Sequence, residues 1–174
     1  PSFEEGVYVV DTDNITDNRE ICHDYTADIY RACVLGTRDY LQKQNFDSVV
    51  IGMSGGVDSG IVAAIAADAI GPENVHLVRL PSKYSSQHSL DDAENAANRL
   101  GCPMRTINIE PVVNALRQAY ALTSGEELEG VADENIQARA RGTILMAISN
   151  QERRILLTTG NKSEVSVGYS TLYG

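Results

Sequence analysis

Alternating strand and helix patterns predict an α/β fold, in which a doubly wound, mostly parallel sheet carries helices on both faces. Four short apolar runs alternate with helical patterns from residue 48 to the end of the chain. Strands that alternate with helices pair in parallel through right-handed crossovers, which favours this architecture over an antiparallel sheet. A turn with two adjacent glycines follows the first apolar run, at the edge where such sheets bind ligands.

The first part of the chain supplies a long helix, a strand and a second helix. Helical spacing of apolar side chains predicts the first helix over residues 20–44. The apolar positions of this helix are Ile21, Tyr25, Ile29, Ala32, Cys33, Gly36 and Tyr40. The first strand is predicted at residues 48–53 and the next helix at residues 60–70, where Gly71 and Pro72 stop it.

The middle of the chain continues this alternation. The second strand is predicted at residues 75–80, and a polar loop, SKYSS, follows it. A helix over residues 89–100 comes next. The spacing of Ser89 and Asp92 resembles a capping box, with Asp in place of the usual Glu or Gln. The third strand is predicted at residues 104–109.

Two helices, a strand and a short helical segment make up the rest. A helix is predicted over residues 111–122, and a polar loop separates it from a longer helix over residues 133–150. Asp133 is predicted to be the N-cap of that longer helix. The fourth strand is predicted at residues 154–159, and one or two helical turns at residues 162–168.

The composition fits one globular domain and excludes several function classes. The 174 residues are 43% hydrophobic and 22% charged, and no apolar run is long enough to cross a bilayer. A net charge of −10 argues against broad nucleic-acid binding, which needs a basic face. The three cysteines, Cys22, Cys33 and Cys102, have no metal-ligand spacing. An odd number of cysteines without a disulfide framework fits a reducing, cytoplasmic setting. We expect the three side chains to serve in packing.

Three polar clusters stand where predicted strands end. Residues 54–59, SGGVDS, follow the first strand, Arg79 lies near the end of the second, and residues 158–164, TTGNKSE, follow the fourth. The carboxyl ends of parallel strands share one edge of a sheet, so we expect these clusters to converge. Adjacent glycines permit a positive φ, and backbone N–H groups before a helix favour an anion. No Gly-Lys-Ser/Thr follows, which excludes a Walker A loop.

The pattern Ser-Gly-Gly-Xaa-Asp-Ser after a strand resembles the PP-loop of the N-type ATP pyrophosphatases, which cleave ATP to AMP and pyrophosphate. Further blocks resemble the synthetase domain of the NAD⁺ synthetase family, in its glutamine-dependent type. These blocks are ADIYRACVLGTRDYLQKQNF, VRLPSKYSSQHSLDDAENAANRLG, ENIQARARGTILMAISN and LLTTGNKSEVSVGYSTLYG. The resemblance covers residue 20 to the end, and it implies an adenine nucleotide alpha hydrolase-like, Rossmann-like sheet.

The resemblance also implies residue roles. The ATP-binding residues would be Ser54, Gly55, Gly56, Val57, Asp58, Ser59, Arg79 and Thr159. Asp58 and Glu164 would bind Mg²⁺, and Arg139 would contact the substrate, deamido-NAD⁺. Mg²⁺ takes one or two carboxylates together with phosphate oxygens, which independently supports the carboxylate pair. No side chain is assigned a covalent catalytic role, since this chemistry needs charge stabilisation and positioning.

Structural roles stay open for these charged residues. Asp58 could stabilise the dipole of its helix, and Glu164 could be a solvated helix residue. Arg79 ends an apolar strand, where an acidic neighbour could satisfy it in place of a phosphate. Arg139 and Arg141 lie two apart, on different helix faces, so one would face the substrate and the other solvent. The resemblance favours Arg139.

The implied activity is ATP-dependent amidation of deamido-NAD⁺ to NAD⁺ through an adenylate, with release of AMP and pyrophosphate. Ammonia would come from glutamine, through an upstream glutaminase domain of the nitrilase type. Residues 1–19 would be a linker or a remnant of that domain, and residues 20–174 the synthetase domain. The family's domain continues beyond Gly174, so the 174 residues alone are expected to be inactive. The family also implies a homodimer or higher homo-oligomer, with the two long helices as candidate interfaces. From the acidic charge and the short apolar runs we expect no nucleic-acid or membrane partner.

Two other interpretations stay open. The chain could belong to another PP-loop ligase, of the GMP or asparagine synthetase type, or to a tRNA-thiolating enzyme, although the acidic composition weighs against tRNA. It could also be a non-catalytic module that binds ATP or AMP. A mere sensor has no need of a metal-binding carboxylate pair, so Asp58 together with Glu164 favours an enzyme.

Overall fold

The computed structural model describes residues 24–169 together with residues 3, 5–7, 9 and 11–13. The predicted start of the first helix at residues 20–23, with Ile21 and Cys22, therefore lies outside the described residues. So do most of the predicted linker at residues 1–19 and the end of the last family block at residues 170–174. No helix in the described part of the chain is long and apolar enough to cross a membrane.

Helix α1 (Tyr25–Lys43) leads into the central strand of the sheet, β1 (Val49–Gly52). Asp24 caps α1 by accepting a hydrogen bond from the N–H of Ala27. The next helix, α2 (Val57–Ile70), begins inside the glycine turn, three residues earlier than predicted. The Ala-rich body of α2 favours the helix, and the Ser59 hydroxyl bonds the Gly56 carbonyl at its start.

Strand β2 (Val75–Arg79), helix α3 (Gln87–Leu100) and strand β3 (Met104–Thr106) follow in the predicted order. The predicted cap of α3 is wrong. The hydroxyl of Ser86 caps this helix, and it accepts a 3.1 Å hydrogen bond from the N–H of Ser89. Asp92 instead forms a 2.8 Å pair with the exposed His88, one turn away on the same helix.

Helices α4 (Glu110–Ser124) and α5 (Gly130–Glu152) precede strand β4 (Ile155–Leu157) and the short helix α6 (Lys162–Ser166).

The prediction that Asp133 caps α5 is also wrong, since Glu129 occupies the N-cap position and Asp133 lies in the first turn. The Asp133 carboxylate accepts hydrogen bonds from the guanidinium of Arg117 on α4, one of them 2.8 Å long. These bonds lower the pKa of Asp133. Asp133 therefore pairs with a residue of another helix and does not cap its own.

The described strands form one parallel sheet in the order β3-β2-β1-β4. Val49 of β1 is in register with Val75 of β2 on one side and with Ile155 of β4 on the other. The first described strand therefore lies inside the sheet, and later strands add on both sides of it. This arrangement confirms the predicted doubly wound α/β fold.

Two apolar layers sandwich the sheet. Val49 and Ile51 of β1 face the layer that contains α1, α2 and α3, and Val50 between them faces α4 and α5. The small side chains of α2 let that helix approach the sheet closely, since Ala63 and Ala66 are fully buried. Helices on both faces are thus confirmed, and every residue of β1 except Gly52 is buried.

The apolar stripe of α1 does not face this core. Tyr25, Ile29 and Tyr40 are 78%, 49% and 58% exposed, and Leu41 is the buried residue of the helix. The helix is attached to α2 through polar contacts, among them a 2.7 Å hydrogen bond from the Tyr30 hydroxyl to Asp68. Burial and this carboxylate raise the pKa of Tyr30 to about 12.

A charged cluster joins β2, β3 and the end of α5. Glu152 forms ion pairs with Arg105 at 2.7 Å and with Arg154 at 2.6 Å. His76 of β2 is half-buried beside this cluster. Burial, Arg154 and Arg105 lower the pKa of His76, and Glu152 opposes them only in part.

We predict that His76 makes the fold less stable in mild acid. Its pKa is lower in the folded chain than in the unfolded one, so the unfolded chain binds the proton first as the pH falls below about 6.5. The free energy of unfolding should therefore be greatest above that pH and decline below it, as urea denaturation at a series of pH values would show. His76→Gln should flatten the decline, whereas His88→Gln should keep it. Parallel profiles for the wild type and His76→Gln would contradict the prediction.

Candidate functional site

The glycine turn after β1 has a backbone shape that only glycine fits. Gly55 has φ of +85°, and a Cβ atom added there would lie 2.3 Å from the carbonyl oxygen of Ser89. That contact places the first turn of α3 directly against the turn. The turn therefore has β1 before it, α2 after it and α3 against it.

Two hydroxyls hold the turn from inside. The Ser59 side chain is 1% exposed, and its oxygen donates to the carbonyl of Gly56 at 3.0 Å. The same oxygen accepts from the N–H of Ser54 at 3.3 Å and lies 3.0 Å from the Ser54 hydroxyl. The N–H of Gly56 donates to the Ser54 hydroxyl at 3.1 Å. The buried Ser59 is thus a support for the turn, whereas Ser54 is exposed, and direct ATP contact by either stays a prediction.

Val57 and Asp58 form the first turn of α2. The Val57 side chain is 81% exposed. The half-buried Asp58 carboxylate has no hydrogen bond or ion pair to any residue that the structure describes. A carboxylate at a helix N-terminus is stabilised by the helix dipole, yet its oxygens stay free to accept a ligand. This availability fits a metal ligand.

Arg79 ends β2 beside the glycine turn, and its guanidinium is partly engaged. Nε donates to the Thr106 hydroxyl at 3.1 Å, and Nη1 donates to the Leu90 carbonyl at 2.8 Å. Nη1 also lies 3.4 Å from the exposed carboxylate of Glu94. The structural pairing that the sequence left open is therefore present. The Nη2 group has no such partner among the described residues, so one edge of the guanidinium is available to an anion.

A cleft of about 240 Å³ connects Arg79 with the glycine turn. Its walls include Ser54, Arg79, Tyr84 and Ser86. The structure thus brings two of the three predicted clusters together. The contribution of the loop after β2 was missed in the site prediction, although its run of hydroxyl residues at a strand end was a usable signal.

The third cluster follows β4, which is hydrogen-bonded to β1. Thr159 is half-buried, and Asn161 begins α6 with a capping box. In that box the Glu164 carboxylate accepts a 3.0 Å hydrogen bond from the N–H of Asn161, and the N–H of Glu164 donates to the Asn161 side chain at 2.9 Å. Glu164 therefore has a structural role of its own, with its second carboxylate oxygen left for another ligand.

The described residues contain no group of three or more His, Cys, Asp or Glu side chains that could hold a metal alone. The predicted Mg²⁺ commonly takes one or two carboxylates and completes its shell with phosphate oxygens and water. Asp58 and Glu164 follow the carboxyl ends of two neighbouring strands, β1 and β4. They are the residues that would hold such an ion, and this assignment stays a prediction.

The two arginines of α5 differ in their surroundings. Arg139 is exposed. Arg141 is half-buried, and its Nε donates a 3.1 Å hydrogen bond to the carbonyl of Leu80, directly after β2. The substrate contact assigned to Arg139 is not tested by these positions. The structure places Arg141 next to the end of β2, at the functional edge of the sheet.

Comparisons with known proteins cover nearly the whole chain. The family model described as NAD synthase matches residues 29–174. A glutamine-dependent NAD⁺ synthetase of Rhodobacter capsulatus is 53% identical over 181 aligned residues, which cover 100% of this chain and 33% of that relative. The chain thus spans about a third of the length of the curated relatives it matches.

Two solved structures extend the comparison. Glutamine-dependent NAD⁺ synthetase from Acinetobacter baumannii, in complex with ADP, matches with a TM-score of 0.86 and 44% identity, over 91% of this chain and 30% of that chain. NH₃-dependent NAD synthetase from Campylobacter jejuni, in complex with nitrate, matches with a TM-score of 0.77 and 28% identity, over 87% of this chain and 63% of that one.

We predict that Gly55→Ala disrupts the turn. A Cβ atom would meet the Ser89 carbonyl and would also require a strained φ, so the free energy of unfolding should fall by about 2–4 kcal/mol. ATP binding, measured by calorimetry on the full-length protein, should be lost or weakened. Gly60→Ala is the matched control, because nothing lies near its added Cβ and the position is helical. It should stabilise α2 by about 0.5–1 kcal/mol. Equal effects at both positions would contradict this account of the turn.

Proposed function

The chain belongs to the NAD synthase family, and on that premise we propose that the full-length protein converts deamido-NAD⁺ to NAD⁺ with ATP. The observation that carries this proposal is the glycine turn on the central strand, with Arg79 across a cleft and Asp58 unpaired beside it. The complex of the Acinetobacter baumannii neighbour with ADP supports nucleotide binding at this kind of domain.

The proposed reaction has two steps. A carboxylate oxygen of deamido-NAD⁺ attacks the α-phosphorus of ATP, and the bond from that phosphorus to the bridging oxygen breaks to release pyrophosphate. Ammonia then attacks the carbonyl carbon of the adenylate. AMP leaves with the oxygen that joined it to the acyl group, and the nitrogen loses a proton. We propose that glutamine supplies the ammonia through a separate glutaminase domain, as the names of the relatives suggest.

The residues of this chain contribute charge stabilisation and positioning. The N–H groups in the first turn of α2 present a partial positive charge to phosphate, and the glycine turn holds that helix end in place. The open edge of Arg79 adds a full positive charge on the opposite wall of the cleft. Mg²⁺, when bound, would neutralise polyphosphate charge, and Asp58 and Glu164 are the carboxylates that would hold it. Positioned donors of this kind accelerate phosphoryl and adenylyl transfer without a covalent intermediate on the protein.

A substrate panel tests the proposed function. The full-length protein, supplied with ATP, Mg²⁺ and ammonia or glutamine, should consume deamido-NAD⁺ and form NAD⁺, AMP and pyrophosphate, as followed by mass spectrometry. XMP and aspartate, offered in the same assay, should not react. Consumption of XMP or aspartate alone would indicate another PP-loop ligase. Binding of ATP without turnover of any of the three would indicate a non-catalytic module.

Two isosteric variants examine the carboxylate pair in the same assay. Asp58→Asn should slow NAD⁺ formation by about 100-fold or more and raise the Mg²⁺ concentration needed, because a charged metal ligand is lost. Glu164→Gln is the sharper variant, since Gln also fits a capping box and α6 should stay intact. An unchanged rate and Mg²⁺ dependence in either variant would remove that residue from the metal site.

The exposed stripe of α1 supports a homodimer. Tyr25, Ile29 and Tyr40 leave apolar surface uncovered along one side of the helix, and contiguous patches of this kind mark interfaces. A cavity of about 460 Å³ opens between Tyr40 and Ile65 of α2 and extends the patch. In a twofold dimer the same surface of each copy would meet its mate. We therefore propose that α1 forms the dimer interface.

Replacing Ile29 with Asp should break this dimer. A charge at the centre of an apolar interface weakens the affinity of the two subunits for each other, because the charge loses its water without gaining a partner. Size-exclusion chromatography with light scattering on the full-length protein should show a shift from dimer to monomer. Leu122→Asp is the control, because Leu122 is 80% exposed on α4, on the other face of the sheet. A dimer that survives Ile29→Asp would place the interface elsewhere.

A further inference from the structure

Arg141 holds a charge that the described part of the chain does not neutralise. Its Nε donates to the Leu80 carbonyl at 3.1 Å, and no other hydrogen bond or ion pair joins it to a described residue. The Nη hydrogens are therefore free of protein partners. Burial lowers the pKa of Arg141, but a guanidinium stays protonated at neutral pH. A half-buried, uncompensated cation of this kind favours an anionic ligand.

Arg38, the half-buried arginine of α1, likewise bonds only backbone carbonyls, whereas four other arginines have a carboxylate partner. Arg105 and Arg154 pair with Glu152, Arg117 pairs with Asp133, and Arg79 approaches Glu94. Each of these has a carboxylate within 4 Å. Arg141 has a backbone carbonyl alone. A carbonyl dipole orients the guanidinium without neutralising it, so the side chain is held in place with its charge available.

Arg141 lines a cleft of about 450 Å³ together with Tyr84, Asp133, Glu134 and Gln137. That volume is in the range of small-molecule sites. The carboxylate of Asp133 is occupied by Arg117, and Glu134 is exposed, so solvent screens its charge more than that of Arg141. The cleft can therefore accept an anion at its Arg141 end.

Tyr84 is a wall shared by two clefts. On one side lies the cleft with Ser54 and Arg79, where the glycine turn would receive the phosphates of ATP. On the other side lies the cleft with Arg141, which none of residues 54–59 lines. Two neighbouring clefts with one cationic arginine each suit a reaction between two anionic nucleotides.

The geometry points to Arg141 as the residue that binds an oxyanion of the second nucleotide substrate, in the cleft between Tyr84 and α5. This inference rests on the proposed function, which makes deamido-NAD⁺ that substrate. A carboxylate and a phosphate present the same oxygen edge to a guanidinium, and the dinucleotide carries both.

Binding measurements on the full-length protein test this inference and separate the two oxyanions. Arg141→Gln should weaken binding of deamido-NAD⁺ by about tenfold to hundredfold, since a charge-assisted hydrogen bond is lost. NAD⁺ keeps the phosphates but lacks the carboxylate. If Arg141 holds the carboxylate, the affinity for NAD⁺ should be unchanged, and if it holds a phosphate, both affinities should fall together. Arg141→Lys should restore part of the lost affinity.

Controls separate this role from a structural one. Thermal unfolding should show a folded Arg141→Gln protein, and Arg99→Gln, on the exposed last turn of α3, should bind like the wild type. Unchanged affinity for both dinucleotides, or a loss confined to ATP, would overturn the inference. If the wild type itself fails to bind deamido-NAD⁺, the proposed function fails. Inorganic pyrophosphate binding, compared between wild type and Arg141→Gln, then decides whether Arg141 is an oxyanion-binding residue at all.

Discussion

The close approach of the Ser89 carbonyl to Gly55 is the contact on which the candidate site depends. It holds the start of α3 against the turn that links β1 to α2. The turn, which is hydrogen-bonded internally, therefore contacts all three elements. The buried Ser59 hydroxyl also stabilises the turn, because it accepts from the Ser54 N–H and donates to the Gly56 carbonyl. A loop held in this way loses little further entropy when it binds phosphate. Pre-organisation is therefore a property of the fold, and the ligand does not have to induce it.

Charge is distributed unevenly over the functional edge. The chain is acidic overall, yet each of the two clefts presents an arginine. Asp133 in the second cleft is occupied by Arg117, and Glu94 approaches Arg79 only at 3.4 Å. A local excess of positive charge of this kind suits small anionic ligands on an otherwise acidic surface. Asp58 is the counterpart of this arrangement, since an unpaired carboxylate next to phosphate is favourable only with a cation between them.

The sequence predicted the architecture well because the governing signals are local. Strand and helix order, the apolar run of β1 and the glycine turn all follow from periodicity and backbone chemistry. The errors have two causes, one local and one tertiary. Asp133 has the spacing of a helix cap, but its carboxylate pairs with Arg117 on another helix. The cap of α3 was misplaced by three residues within the local pattern, since Ser86 takes that role in place of Ser89. Periodicity found the apolar stripe of α1, yet it could not tell a core face from an exposed one. The residue roles around Ser59, Tyr84 and Arg141 needed three-dimensional neighbours that no spacing rule supplies.

The charged cluster of His76, Arg105, Glu152 and Arg154 lies near the amino ends of β2 and β4, opposite the edge that holds the glycine turn. Hydration of charged groups becomes less favourable as temperature rises, so the cost of burying such a network shrinks in the heat. This end of the sheet is therefore where the domain could adapt to a hotter or colder host. Substitutions there would adjust thermal tolerance and leave the nucleotide clefts as they are.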